Sequence, residues 1–171
     1  MQWAVNDAIS KGVQSKAVLS LSLGGSYSSS LNAAVQVVIN KGIPIIVAAG
    51  NANKNVINTF PGSSPIAITV AAVDISDTRG WFSNYGSTVD IFAPGVNIYG
   101  AWAGSDKDYA WLDGTSQATP YVAGLAAYYI VNERIIGAQA VRDRIISMAC
   151  KNMLKDVMGS PNRIAYNNNG L

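Results

Sequence analysis

The chain has 171 residues, 49% of them apolar and 13% charged, with a net charge of +2, one cysteine (Cys150) and no histidine. That length suits one domain with a real core, and the composition excludes a disordered tail or a basic nucleic-acid-binding arm. No nucleic-acid or membrane partner is expected, no internal disulfide can form, and the commonest general base and metal ligand is missing.

The opening residues read as an amphipathic helix with Trp3, Val5, Ala8 and Ile9 on one side and a C-cap at Gly12. They lack the basic and apolar regions of a signal peptide, and an opening inside a helix predicts further sequence upstream. Residues 17–23 read as a buried strand on Val18, Leu19, Leu21 and Leu23, closed by Gly24-Gly25. Residues 28–41 carry Leu31, Ala34, Val35 and Val38 at helical spacing, with serine caps before them and Gly42 after them. Residues 43–49 form a continuous apolar run, too short to span a bilayer. Helix, strand, helix, strand implies a right-handed crossover and a parallel sheet, and apolar strands of this kind fit a sheet covered on both faces.

A polar loop over 50–64 precedes a strand at 66–73, and shorter strands follow at 89–92, 98–102 and 109–112. The segment 116–131 reads as a helix buried on most sides. Residues 138–150 read as an amphipathic helix, with Cys150 a buried small hydrophobe at its end. The tail reads as loop with a short strand near 163–165, and 167–170 should fray.

Three segments could carry chemistry. In Asp113-Gly114-Thr115-Ser116-Gln117-Ala118-Thr119-Pro120 a serine stands at a loop-to-helix junction. Its hydroxyl feels the positive helix end, and nearby N–H groups can bind an anion; alone, such a serine is more often an N-cap. Asn51 follows Val47-Ala48-Ala49-Gly50, at the carboxyl edge where parallel sheets bind ligands. Its amide could donate to an oxyanion or merely serve a turn. Ser22-Leu23-Gly24-Gly25 could leave backbone groups free to pair with an extended peptide or merely end a strand. A nucleotide-binding α/β domain is the weakest reading, because Gly24-Gly25 makes no glycine-rich phosphate fingerprint.

In order and spacing, these segments resemble the C-terminal part of the subtilisin-like serine proteases, the subtilases, and most of all the proteinase K-like branch with its fungal forms. Gly114-Thr115-Ser116-x-Ala118-Thr119-Pro120-x-Val122-Ala123-Gly124 resembles the nucleophile signature. Ala48-Ala49-Gly50-Asn51 resembles the oxyanion segment and Ser22-Leu23-Gly24-Gly25 the substrate-binding strand. Phe82-Ser83-Asn84-Tyr85-Gly86 and Asp90-Ile91-Phe92-Ala93-Pro94-Gly95 match as well, and the likeness is weakest after about Asn132.

The resemblance implies a three-layer α/β fold, a mostly parallel sheet with helices on both faces, here as a partial peptidase domain over 1–171 without its N-terminal part. It implies hydrolysis of a peptide or protein substrate through an acyl-enzyme on Ser116. Asn51 and the Ser116 amide would serve the oxyanion, Ser22, Leu23, Gly24 and Gly25 the peptide groove, and Gly50 the wall of the specificity pocket. It also implies a structural Ca²⁺ held by the Asp90 carboxylate and the carbonyls of Pro65 and Ala67, and a secreted or vacuolar parent.

The family's aspartate and histidine have no counterpart here, and Asp7, Asp74, Asp77 and Asp113 do not match the catalytic aspartate's motif. Without a base the serine is a poor nucleophile. The chain alone is therefore expected to be inactive, with an open sheet edge that a missing N-terminal segment or a propeptide would cover. The competing expectation is a non-catalytic peptide-binding module. Gln117 stands where the family usually has methionine, and Tyr121 where it usually has histidine.

Overall fold

In the computed structural model the first helix, strand, helix and strand come in the predicted order, with one short strand added between them. Helix α1 spans Gln2–Ser10, strand β1 Leu19–Leu21, a short β2 Gly25–Ser26, helix α2 Ser29–Asn40 and strand β3 Ile45–Ala48. The structure describes residues 1–167, so the fraying expected of 168–170 lies outside the described residues. Helix α2 starts where predicted because the Ser28 hydroxyl oxygen accepts a hydrogen bond from the Leu31 amide at 3.3 Å.

The polar loop after β3 holds a two-residue strand, β4 (Thr59–Phe60), antiparallel to β2. Strands β5 (Ile68–Val73) and β6 (Ile91–Pro94) follow, then a hairpin of β7 (Ile98–Ala101) and β8 (Tyr109–Leu112). Helix α3 spans Thr115–Asn132 and α4 Ala138–Met148, before β9 (Cys150–Lys151) and β10 (Arg163–Ile164). The main sheet runs β1-β3-β5-β6-β10-β9, parallel throughout except where β9 pairs antiparallel with β10.

Period-two alternation divides the strand side chains between two helical layers. Ile46, Ile68, Val70, Ala72, Ile91 and Ala93 pack on Ala118, Val122, Ala126 and Tyr129 of α3, with Val141 and Ile145 of α4 behind them. Ile45 and Val47 point the other way, onto Val5 and Ala8 of α1 and Val35 and Val38 of α2. The architecture is the expected three-layer α/β sheet. Each fully buried Val or Ile contributes about 1.5–3 kcal/mol, so the two layers hold the sheet in place under the loops at its carboxyl edge.

Several local expectations are corrected. Only Val5 and Ala8 of α1 are buried; Trp3 is 78% exposed and Ile9 is exposed too. β1 is half-buried with Ser20 exposed, because it lies at the end of the sheet and pairs only with β3. Its outer side has no strand neighbour among the described residues. Helix α3 is buried along one broad face, but Tyr121, Tyr128 and Val131 stand exposed. Cys150 is half-buried in β9 rather than at the end of α4. Among the described residues no helix is long and apolar enough to cross a membrane.

Candidate active site

β3 ends at Ala48, and the chain leaves the sheet through Ala49, Gly50 and Asn51. Gly50 has φ +100°, and a Cβ there would lie 2.6 Å from Asn84 Nδ2. Only glycine fits that turn without strain. Asn84 is buried and works as a clamp on the loop: its Nδ2 donates to the Ala49 carbonyl at 2.8 Å, and its Oδ1 accepts from the amides of Ala52 (3.0 Å) and Lys54 (3.1 Å). The Asn84 amide also donates to the Gly50 carbonyl at 2.9 Å.

The loop meets the start of α3 through Thr115, which is fully buried. Its amide (2.9 Å) and its hydroxyl (2.8 Å) both donate to Asn51 Oδ1, and its Oγ1 accepts from the Gly50 amide at 3.1 Å. With Oδ1 committed twice, the Asn51 side chain has only its Nδ2 donors left to present. A Cβ on Gly114 would start 3.2 Å from that Nδ2 and 3.6 Å from the Ser116 amide nitrogen. Both donor nitrogens therefore lie close to the space beside the Gly114 Cα. The first turn of a helix leaves amides without internal partners. Here Thr115 donates to Asn51, Gln117 and Ala118 donate to the Gly114 carbonyl, and the Ser116 amide has no acceptor among the described residues.

Ser116 is half-buried at this junction. Its Oγ donates to the Ser22 carbonyl at 3.2 Å, while the Ser22 hydroxyl donates to the Ser116 carbonyl at 2.9 Å. Leu23, Gly24, Gly25, Gly50, Asn51 and Ser116 all line one cavity of about 410 Å³, with Phe60 and Asn84 on its walls. The seven residues expected from sequence to serve catalysis and substrate binding are thus brought together, Ser22 through Ser116.

One expectation changes in detail. Gly25 and Ser26 are paired with Phe60 and Thr59 along one edge of β2, so a peptide could pair only along the other edge of this stretch. A Cβ at Gly24 would sit 2.9 Å from the Phe60 carbonyl oxygen, which fixes how closely β2 and β4 approach.

The three expected calcium ligands lie elsewhere. Pro65 and Ala67 precede β5 and Asp90 precedes β6, at the amino edge of the parallel sheet, opposite the Ser116 corner. Pro65 is exposed and Ala67 buried. Asp90 is buried; its Oδ2 accepts from the Thr69 amide at 2.8 Å and its Oδ1 from Arg142 Nη2 at 2.6 Å.

Of the two departures in the nucleophile signature, Gln117 touches the corner and Tyr121 does not. A Cβ on Gly114 would lie 2.5 Å from Gln117 Oε1. Tyr121 is exposed and lines a separate cleft with Tyr128. Sequence reasoning did not find the clamp role of Asn84 or the brace role of Thr115. Asn84 lies inside the segment Phe82-Ser83-Asn84-Tyr85-Gly86, but its partners are some 30 residues away in sequence and only the fold joins them.

Residues 1–167 match the Subtilase family. The chain is 48% identical over 167 residues to alkaline protease 1 of Aspergillus flavus, covering 98% of this chain and 41% of that protein. It is 49% identical over 166 residues to subtilisin-like protease 2 of Pseudogymnoascus destructans, covering 97% and 42% respectively. The crystal structure of a cold adapted subtilisin-like serine proteinase superposes with a TM-score of 0.88 at 38% identity, over 94% of this chain and 58% of that one. The chain thus spans about two fifths of the length of the curated relatives it matches.

Proposed function

Because the chain belongs to the subtilase family, we propose that its carboxyl-edge corner is the acyl-transfer half of a serine endopeptidase site. Ser116 Oγ attacks the scissile carbonyl of a peptide bound along Ser22 to Gly24. The Asn51 Nδ2 and the Ser116 amide receive the oxyanion of the tetrahedral intermediate. The observation that supports this most is the double commitment of Asn51 Oδ1 to Thr115, which turns the side-chain donors toward Gly114.

The proton is the missing part. The chain contains no histidine, and among the described residues no ionisable side chain hydrogen-bonds to Ser116. The base must come from polypeptide outside these 171 residues, and the chain by itself does not turn over substrate. A secreted or vacuolar setting follows from the resemblance alone.

The experiment mixes the purified chain with an N-terminal subtilase segment carrying the family's aspartate and histidine. It then measures peptide hydrolysis and fluorophosphonate labelling. Turnover should appear only in the mixture and vanish in Ser116→Ala. Titratable turnover by the chain alone, or activity surviving in Ser116→Ala, overturns the reading.

A second reading, a peptide-binding module without catalysis, draws on the reciprocal bonds between Ser22 and Ser116, which give each hydroxyl a partner on the other backbone. Peptide binding by a mixture that folds together but never hydrolyses would select it.

A further inference from the structure

We propose that the Arg142 guanidinium fills the place that the family resemblance gives to a calcium ion, so that this chain is held at Asp90 by an internal cation and is independent of calcium there. This inference stands on the amino edge of the sheet and does not depend on the peptidase reading.

Asp90 is almost completely enclosed, with 7% of its side chain exposed. A carboxylate in such a place needs a compensating cation or strong donors. Burial pushes its carboxyl above the ordinary range, while the Thr69 amide and the Arg142 guanidinium draw it back down. Both oxygens are already used. Oδ2 accepts from the Thr69 amide, two residues past Ala67, and Oδ1 accepts from Arg142 Nη2 at the short distance of 2.6 Å that marks a charge-assisted bond.

A calcium ion on Asp90 would share the carboxylate with the guanidinium. It binds six to eight oxygens at roughly 2.3–2.6 Å, so an ion on Oδ1 would be pressed against a guanidinium of like charge. Arg163, on β10 beside β6, adds a second positive field on Asp90. Among the described residues there is no group of three or more His, Cys, Asp or Glu placed to hold a metal. One carboxylate facing two guanidinium groups repels a divalent cation.

Arg142 arrives on α4, between Val141 and the core-facing Ile145, which anchor the helix against α3. That stretch lies beyond Asn132, where the sequence least resembles the family, whereas Asp90 sits in a segment that matches it well. The pair is monodentate, and the buried Arg142 Nε has no acceptor among the described residues. A neutral residue at 142 should therefore free Asp90 for another cation.

The test is thermal unfolding of the full chain in EDTA and through a calcium titration, with equilibrium dialysis against radioactive calcium. The wild type should show no calcium binding that Asp90→Asn abolishes, and no calcium-dependent rise in Tm. Arg142→Gln should melt lower in EDTA and regain part of the loss with calcium but not with magnesium. Arg142→Lys, which keeps the charge, should stay insensitive. Saturable calcium binding by the wild type that is lost in Asp90→Asn overturns the inference, as does a folded Arg142→Gln that ignores calcium. Should Arg142→Gln not fold in EDTA, its soluble yield on refolding with calcium gives the same readout, and the wild-type dialysis decides regardless.

Discussion

The Ser116 corner and the Asp90–Arg142 pair occupy opposite edges of one parallel sheet, and they treat buried polarity in different ways. The corner is built from neutral amides and hydroxyls. Asn84, Thr115 and the loop backbone satisfy one another, yet the arrangement leaves the Asn51 Nδ2 and the Ser116 amide close to the space beside Gly114. At the other edge one carboxylate has both oxygens taken, one of them by a charge from a distant helix. A network that spares two converging donors is shaped to receive an anion, and one that uses both oxygens of its single carboxylate is shaped to stay closed. The first can gain function from an added segment, whereas the second loses stability when its pair is broken.

The largest expected effect therefore comes from completing the corner. Loss of the histidine alone removes around 10⁶-fold in turnover from subtilisin, whose corner this one resembles. Supplying the base by a complementing segment should raise hydrolysis by roughly that order. A gain limited to tighter peptide binding would instead place the corner with the closed networks.

Next comes the break at the opposite edge. Arg142→Gln leaves the Asp90 charge buried and unpaired, a loss of about 3–5 kcal/mol near neutral pH. The pH dependence has a definite sign. Burial already raises the folded-state pKa of Asp90 above 3.8, with Arg142 and Arg163 opposing it. The folded chain thus holds this proton more tightly than the unfolded chain does. This group makes stability fall as pH rises from 3.8 through the folded value. Removing Arg142 lifts the folded value further, so the variant's deficit should shrink as the pH drops toward 3.8. Urea unfolding at roughly pH 4 and pH 7 checks this. An equal deficit at both would assign the loss to packing rather than charge.

The two regions also differed in how readable they were. Ser116, Asn51 and the Ser22 to Gly25 strand were legible because each sits in a short contiguous motif at an element boundary, where local rules on helix ends and sheet edges apply. Asn84 was not, since the three partners of its side chain, Ala49, Ala52 and Lys54, come from a loop that only the parallel pairing of β3 with β5 brings near. The layers of the fold were legible from apolar runs such as 43–49. Exposure was less so: Val18 to Leu23 has the hydrophobicity of a buried strand, but β1 has a neighbour on one side only, and periodicity carries no information on sheet order. The Asp90 pair shows the same limit, because Asp90 was read from its own motif while the partner that decides its chemistry stands 52 residues later.

Breaking the corner at its donor should cost less than supplying the base gains. In the completed enzyme Asn51→Ala should lower turnover by roughly 10²–10³, the loss known for removing such an asparagine donor from subtilisin. Asn51→Asp is the sharper variant. It keeps an oxygen for Thr115 and so preserves the brace, but it presents an acceptor where the oxyanion forms. Turnover should fall at least as far as in Asn51→Ala while Tm stays close to wild type. An active Asn51→Asp would mean that Asn51 serves only to hold Thr115.

The smallest effect concerns Gln117. Its Oε1 crowds the Gly114 Cα, the same space that the two donors lie close to. An amide oxygen there turns the negative end of its dipole toward a developing oxyanion, and it competes for the Asn51 donors that the oxyanion needs. Gln117→Met removes that oxygen at similar length and flexibility. In the completed enzyme the substitution should raise kcat by less than about tenfold, equivalent to under about 1.36 kcal/mol, with KM little changed because the benefit arises only as charge develops. A lower KM at constant kcat would instead mean that Gln117 acts on the bound peptide, placing it in the groove rather than at the oxyanion corner.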